Sequence, residues 1–239
     1  MRIHKFAGLV CAFALTAGAA PVTFTFTGSG GTLGGSSPFG DTRTYTNGSN
    51  MVTASSFSLP GNLSGNFTTA QLNWYNTLGL AVCDQSEGAG CDDPLHQIDN
   101  SGEYEFVLFK FNSTVDPVSI VINPFNVWDK DVTYWVGNNS ANLSTLTLAT
   151  LGMGARMDDD DNPVTLNTNP RTVLLGGGLG NALLIGARLS GNGADNNIDR
   201  FKIESLTVNT TAAPEPATFG LMGAALVGLG LLRRRIRVS

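Results

Sequence analysis

Apolar and polar positions alternate along much of this chain with a period of two. Val22-Thr23-Phe24-Thr25-Phe26-Thr27 is the cleanest case. Strict alternation gives a strand one apolar and one polar face, and threonine suits a half-buried strand. A glycine-serine loop, residues 28–35, comes next. Residues 42–46, 52–59 and 71–75 read as short strands, set apart by Asn47-Gly48, Pro60-Gly61 and Asn76. Residues 79–83 lead into an acidic loop. Residues 104–111 are densely apolar and aromatic, which predicts a central strand buried on much of both faces. Residues 118–122, after Asp116-Pro117, and 131–136 continue the series. Residues 143–148 alternate again, and 183–189 and 201–208 complete it. Neither an amphipathic helix nor a repeat of 20 to 50 residues interrupts the pattern. Many short strands joined by turn residues predict an all-β fold, an antiparallel β-sandwich of jelly-roll-like form.

Two segments break the period of two. Residues 6–15 are apolar, follow the basic start Met1-Arg2-Ile3-His4-Lys5, and precede Ala17-Gly18-Ala19. Basic, apolar and small-residue parts in that order predict a signal peptide over residues 1–19, cut by signal peptidase. Near the other end, residues 217–232 carry no charge and run into Arg233, Arg234, Arg235 and Arg237. As a helix this stretch spans roughly 24 Å, short of a bilayer core of about 30 Å, and Pro216, Phe219 and some bilayer thinning are expected to close the gap. Arginines at that end predict that they stop in the cytoplasm, with the rest of the chain outside the inner membrane.

Setting both ends aside leaves a body of one domain's size, residues 20–209, and a linker, 210–213. It keeps 8 of the 14 basic and 18 of the 19 acidic residues, so its net charge is near −10, more acidic than the whole chain's −5. Such a surface argues against nucleic acid as a partner and is compatible with divalent cations. Of three cysteines, Cys11 leaves with the signal peptide. Cys83 and Cys91 remain as a pair in an oxidising compartment, which predicts a disulfide closing a small loop. A zinc site using His96 is the competing reading, without the paired CxxC set that zinc usually shows.

The apolar tail is preceded by Pro214-Glu215-Pro216. This short proline motif, the uncharged segment and the arginine cluster together resemble the PEP-CTERM sorting signal of Gram-negative, biofilm-forming bacteria, over residues 214–237. The resemblance implies an exosortase, a membrane peptidase, that cuts near Pro214-Glu215-Pro216 after transient anchoring in the inner membrane. The product would be released or passed to the cell surface. The body also resembles other exported PEP-CTERM proteins, in Gly79-Leu80-Ala81-Val82, in His96-Gln97-Ile98-Asp99-Asn100 and in Asp199-Arg200-Phe201-Lys202-Ile203. That resemblance implies a β-sandwich of unassigned activity.

Candidate chemistry in the body is sparse, and no enzyme is expected. His96 is its single histidine, and Ser86, Ser101 and the aspartates near it lack a nucleophile-elbow pattern. Glu103 and Glu105 share a face of a regular strand, as a glycosidase pair would, but such pairs also arise by chance. Calcium is the better small-site reading, because it takes six to eight oxygens. Asp99, Asn100 and Glu103 are the expected ligands, with Asp92 and Asp93 near them; the aspartate run 158–161 is a second acidic tip without the EF-hand glycine and glutamate. Trp74, Tyr75, Trp128, Tyr134 and Trp135 are candidates for stacking on sugars. A structural or adhesive role in an exopolysaccharide or biofilm matrix is expected first, a carbohydrate-binding module second and a secreted hydrolase third.

Overall fold

The computed structural model describes residues 21–35, 38–91, 95–139, 142–160, 166–190, 195, 197–210, 222–223 and 225–226. The expected signal peptide, the sorting tripeptide, the tail arginines, Asp92 and Asp93 lie outside these residues, as does most of the apolar tail. Among the described residues no helix is long and apolar enough to cross a membrane.

Among the described residues fourteen strands follow one another as β1 (Pro21–Thr25), β2 (Thr32–Gly35), β3 (Asp41–Asn47), β4 (Asn50–Pro60), β5 (Thr68–Thr69), β6 (Gln71–Tyr75), β7 (Gly79–Cys83), β8 (Ile98–Asp99), β9 (Glu103–Asn123), β10 (Val132–Gly137), β11 (Met157–Asp159), β12 (Arg171–Leu174), β13 (Gly180–Ala187) and β14 (Arg200–Thr210). Every pairing between them is antiparallel. The body is thus all-β, as the alternation predicts.

The fold is organised by β9. Its first part, through Phe111, lies between β4 and β13, with Phe57 opposite Phe106 and Leu183 opposite Phe109. Its last part changes partners and lies between β12 and β14, with Ile120 opposite both Val173 and Leu206. The two strands expected at 104–111 and 118–122 are therefore one. Asp116-Pro117 does not end it, because Pro117 sits where the register with β14 shifts, between Thr207 and Val208. An irregularity of that kind is where a strand can hold a residue with no N–H to donate.

Alternate side chains of the first part of β9 enter two different cores. Val107, Phe109 and Phe111 join Phe26, Val52, Leu183, Ile203 and Leu206 in the larger one. Tyr104, Phe106 and Leu108 join Phe57, Leu59, Phe67, Trp135 and Leu184 in the smaller one. A strand buried on both faces reads as a near-continuous apolar run, which is why residues 104–111 do not alternate. Each core has its ring pair, Phe26 stacked on Phe109 at 5.3 Å between centroids in the larger and Phe67 edge-on to Phe106 at 5.5 Å in the smaller.

Three expectations need correction. Residues 143–148 are not a strand; two short 3-10 helices, Leu143–Thr145 and Leu148–Thr150, stand there. Asn142 and Thr147 cap their first turns, and Leu143, Leu146 and Leu151 pack on the smaller core. Local capping by an asparagine and a threonine outcompetes a ladder at this point. Residues 32–35, expected as loop, form the edge strand β2 against β3. Met157–Asp159, expected as an acidic tip, pairs with β10, opposite residues 132–134.

Candidate functional site

Polar chemistry gathers where β7, β8, the start of β9 and β14 meet. Gly79 sets the entry. Its φ of +90° is a glycine conformation, and a β-carbon there would run into the Ile203 carbonyl of β14. This close approach places Cys83, at the end of β7, beside the acidic loop.

Cys83 and Cys91 are joined in a disulfide with their α-carbons 6.3 Å apart. They also stand within reach of Glu87 and His96, as a zinc site would require, but their sulfurs are bonded to each other. Asp84 builds the loop inside the bridge. Its Oδ1 accepts from the Ser86 backbone N–H and hydroxyl, both at 2.6 Å, and from the Glu87 N–H at 3.2 Å. The Cys91 carbonyl accepts from the Tyr75 hydroxyl at 2.9 Å and from the Asn73 side chain. His96 Nδ1 lies 3.5 Å from Glu87. Ser86 thus bonds to Asp84, and His96 lies against Glu87.

Glu105 reaches this loop from β9. It is buried, and its Oε2 accepts from the Asp99 N–H at 3.0 Å. One carboxylate oxygen from each of Asp84, Glu87 and Glu105 lies within 4.8 Å of the others. Burial, followed by the charges of Asp99 and Glu87, pushes Glu105 well above the usual carboxylate range. Burial likewise raises Glu87, with the Asp84 charge adding to it and His96 opposing it.

Of the expected calcium ligands, Asp99 is buried. Its Oδ1 accepts from the Ser101 N–H at 2.8 Å, and its Oδ2 lies 3.3 Å from Arg200, whose guanidinium covers the Trp128 ring at 4.3 Å. Burial raises its pKa to about 6. Asn100 turns the other way. It donates to Asp199 Oδ2 at 2.8 Å and to the Arg188 carbonyl at 3.1 Å, and it accepts from the Asp199 N–H at 3.0 Å. Glu103 opens β9 opposite Pro60 and is half-buried. Among the described residues, neither Asp99 nor Glu103 belongs to a trio of acidic, cysteine or histidine ligands within 4.8 Å.

A second trio, Asp129, Asp131 and Asp199, converges just beyond Asn100, and all three are buried. The Asp131 N–H donates to Asp199 Oδ1 at 2.9 Å. Burial, and then the charges of Asp131, Asp129 and Asp195, push Asp199 up to about 8. Arg171 lies 4.0 Å from Asp131, and the buried Lys130 ammonium donates to Asn167 at 3.0 Å. A 220 Å³ pocket beside the trio is lined by Asn100, Tyr104, Arg188, Asp195, Asn197 and Asp199, among others. Sequence reading missed this trio, although the Asp-x-Asp of Trp128-Asp129-Lys130-Asp131 inside an apolar stretch was a visible signal.

The aromatic candidates are mostly absorbed into the fold. Tyr134 and Trp135 are buried, Trp74 donates its indole N–H to the Phe26 carbonyl at 2.6 Å, and Tyr75 faces the buried Lys202 ammonium at 4.7 Å. Polar hydroxyls instead line a larger open pocket, 610 Å³ in volume, with Thr23, Thr25, Thr32, Thr44, Thr46 and Asn47 among its walls. Tyr45 lines it too. Its hydroxyl is buried without a hydrogen-bond partner among the described residues, and burial raises it to about 12.

Comparison with known families places the export signal. Residues 212–235 match the family described as the PEP-CTERM protein-sorting motif, a span that contains Pro214-Glu215-Pro216 and Arg233 to Arg235. The protein is therefore an exported all-β protein whose C-terminus carries a sorting signal read by an exosortase. No curated protein matches the chain.

Proposed function

We propose that this protein is a structural or adhesive component of the cell envelope or of an extracellular polysaccharide matrix, delivered by its exosortase after signal peptidase has opened the N-terminus. The sorting motif over residues 212–235 carries this reading. The body supports it in two ways. Its charge near −10 favours solubility outside the cell. Its larger core draws side chains from both partner sets of β9, as expected of two sheets packed face to face in a jelly-roll-like sandwich. In this reading the apolar tail holds the body at the inner membrane until cleavage near Pro214-Glu215-Pro216.

Mass spectrometry of the protein from its host tests the proposal. With the exosortase present, the mature C-terminus is expected to lie near residues 214–216 and the protein to reach the surface or medium. Without the enzyme, full-length chain should accumulate in the inner membrane. Mature surface protein that still ends in Arg233 to Arg237 would refute the proposal. The open threonine-lined pocket favours a second reading, a carbohydrate-binding module, because hydroxyls suit a neutral saccharide.

A further inference from the structure

Asp84 and Glu87 belong to the loop closed by the disulfide, while Glu105 belongs to β9, the strand that organises the fold. They meet across more than the length of that loop, and their oxygens come within 4.8 Å of one another. Like charges placed so closely repel, and two of the three residues, Asp84 and Glu105, are buried. Glu105 adds a separate observation. It is 1% exposed, and its Oε1 is buried without a hydrogen-bond partner among the described residues, while Oε2 is held by the Asp99 N–H. A buried carboxylate oxygen with no donor leaves its desolvation uncompensated.

We propose that Asp84, Glu87 and Glu105 form a calcium site that clamps the disulfide loop onto β9. Two oxygens bound to one calcium ion at about 2.3–2.6 Å stand no more than roughly 4.6–5.2 Å apart, so the observed separations fit a single ion. Magnesium, with bonds of about 2.0–2.1 Å, demands a stricter octahedron and holds its waters more tightly. Oxygen-only ligands of full charge also favour calcium over softer metals. Asp84 Oδ1 stays with its turn and leaves its second oxygen for the ion; Glu87 is on the exposed side, where water completes the shell. The position differs from that expected from sequence, since Asp99 supplies a backbone N–H that orients Glu105 and keeps its own carboxylate on Arg200. The site itself does not depend on the sorting proposal. Only the expected affinity does, because extracellular calcium modules work at about 10⁻⁴–10⁻³ M.

The test is calcium alone, added to the full chain purified in mild detergent after chelation. At about 10 mM calcium the Tm is expected to rise by about 3–10 °C. E105Q should abolish that rise while leaving Tm in chelator equal or higher, since it removes the buried charge. E87Q, on the exposed loop, should weaken calcium binding at least tenfold by titration calorimetry and serves if E105Q does not fold. Absence of any calcium-dependent shift or heat would overturn the proposal. So would a full shift retained in both variants, which would move the ion to the Asp129, Asp131 and Asp199 trio, or an equal shift with magnesium.

Discussion

At the scale of single residues, the fold buries more carboxylates than an acidic surface protein needs for solubility, and Asp199 shows the consequence. Its pKa is about 8 when folded against an ordinary 3.8. Between those values the unfolded chain has released a proton that the native state retains, so this group's contribution to stability is fully present below about pH 4 and is lost as pH rises through 8. The slope approaches about 1.4 kcal/mol per pH unit for one such group. Urea melts in chelator at pH 5, 7 and 9 should show this fall. Asp199→Asn should flatten it, even if losing one acceptor to the Asp131 or Asn100 donor lowers stability at every pH. Equal slopes in the two proteins would show that Asp199 is not the group responsible. Little of this was readable beforehand. Asp199 was visible only as part of a loose motif, and Glu105 only as a partner of Glu103 on one strand face, because what makes them unusual is supplied by residues 68 positions away in one case and 18 or 21 in the other.

At the scale of elements, the period of two located most strands well, and β6 lies at Gln71–Tyr75 as read. Residues 201–208, read as a strand, lie within β14 in spite of a local irregularity. In β14 the apolar residues Phe201, Ile203, Leu206 and Val208 all face the larger core although the spacing changes in the middle. The reason is a bulge at Glu204, where the register with β9 steps from Ile203 to Ser205. A three-residue gap inside an alternating run was the available sign. The period failed at residues 143–148, where Leu143 with Leu146 and Leu148 with Leu151, each pair three apart, suit turns of helix better than a strand. The disulfide, by contrast, needed only cysteine count and compartment. Its closed loop is small, with a sequence separation of 8, so chain entropy assigns it roughly 2.5 kcal/mol. Replacing Cys83 and Cys91 together by alanine should lower Tm by about 5–10 °C in a domain of this size, read by fluorescence melting. A change under 1 °C would mean that the loop is pinned by the Asp84 turn and the contacts to Cys91 alone.

At the scale of the whole molecule, the acidic body and its sorting tail divide the functional problem. The tail was legible from sequence because it is a linear signal, three parts in order. The body's ligand was not, because its pockets are assembled from distant strands. The larger pocket draws threonines from β1, β2 and β3. If a neutral saccharide binds there, Thr46→Lys should reduce retention on a glycan array at least tenfold without altering the melting temperature. An array with no bound glycan would instead leave the structural role alone.

The pairing of β14 has a consequence for how the protein is made. This strand is the last of the body to be synthesised, yet β1, β7, β8 and β9 all hydrogen-bond to it. The earliest of the described strands, Pro21–Thr25, must wait for residues 205–209 before it has a ladder partner. A nascent chain halted before residue 200 would therefore leave its main apolar interior open to proteases, and maturation can finish only when the ribosome has nearly reached the export tail.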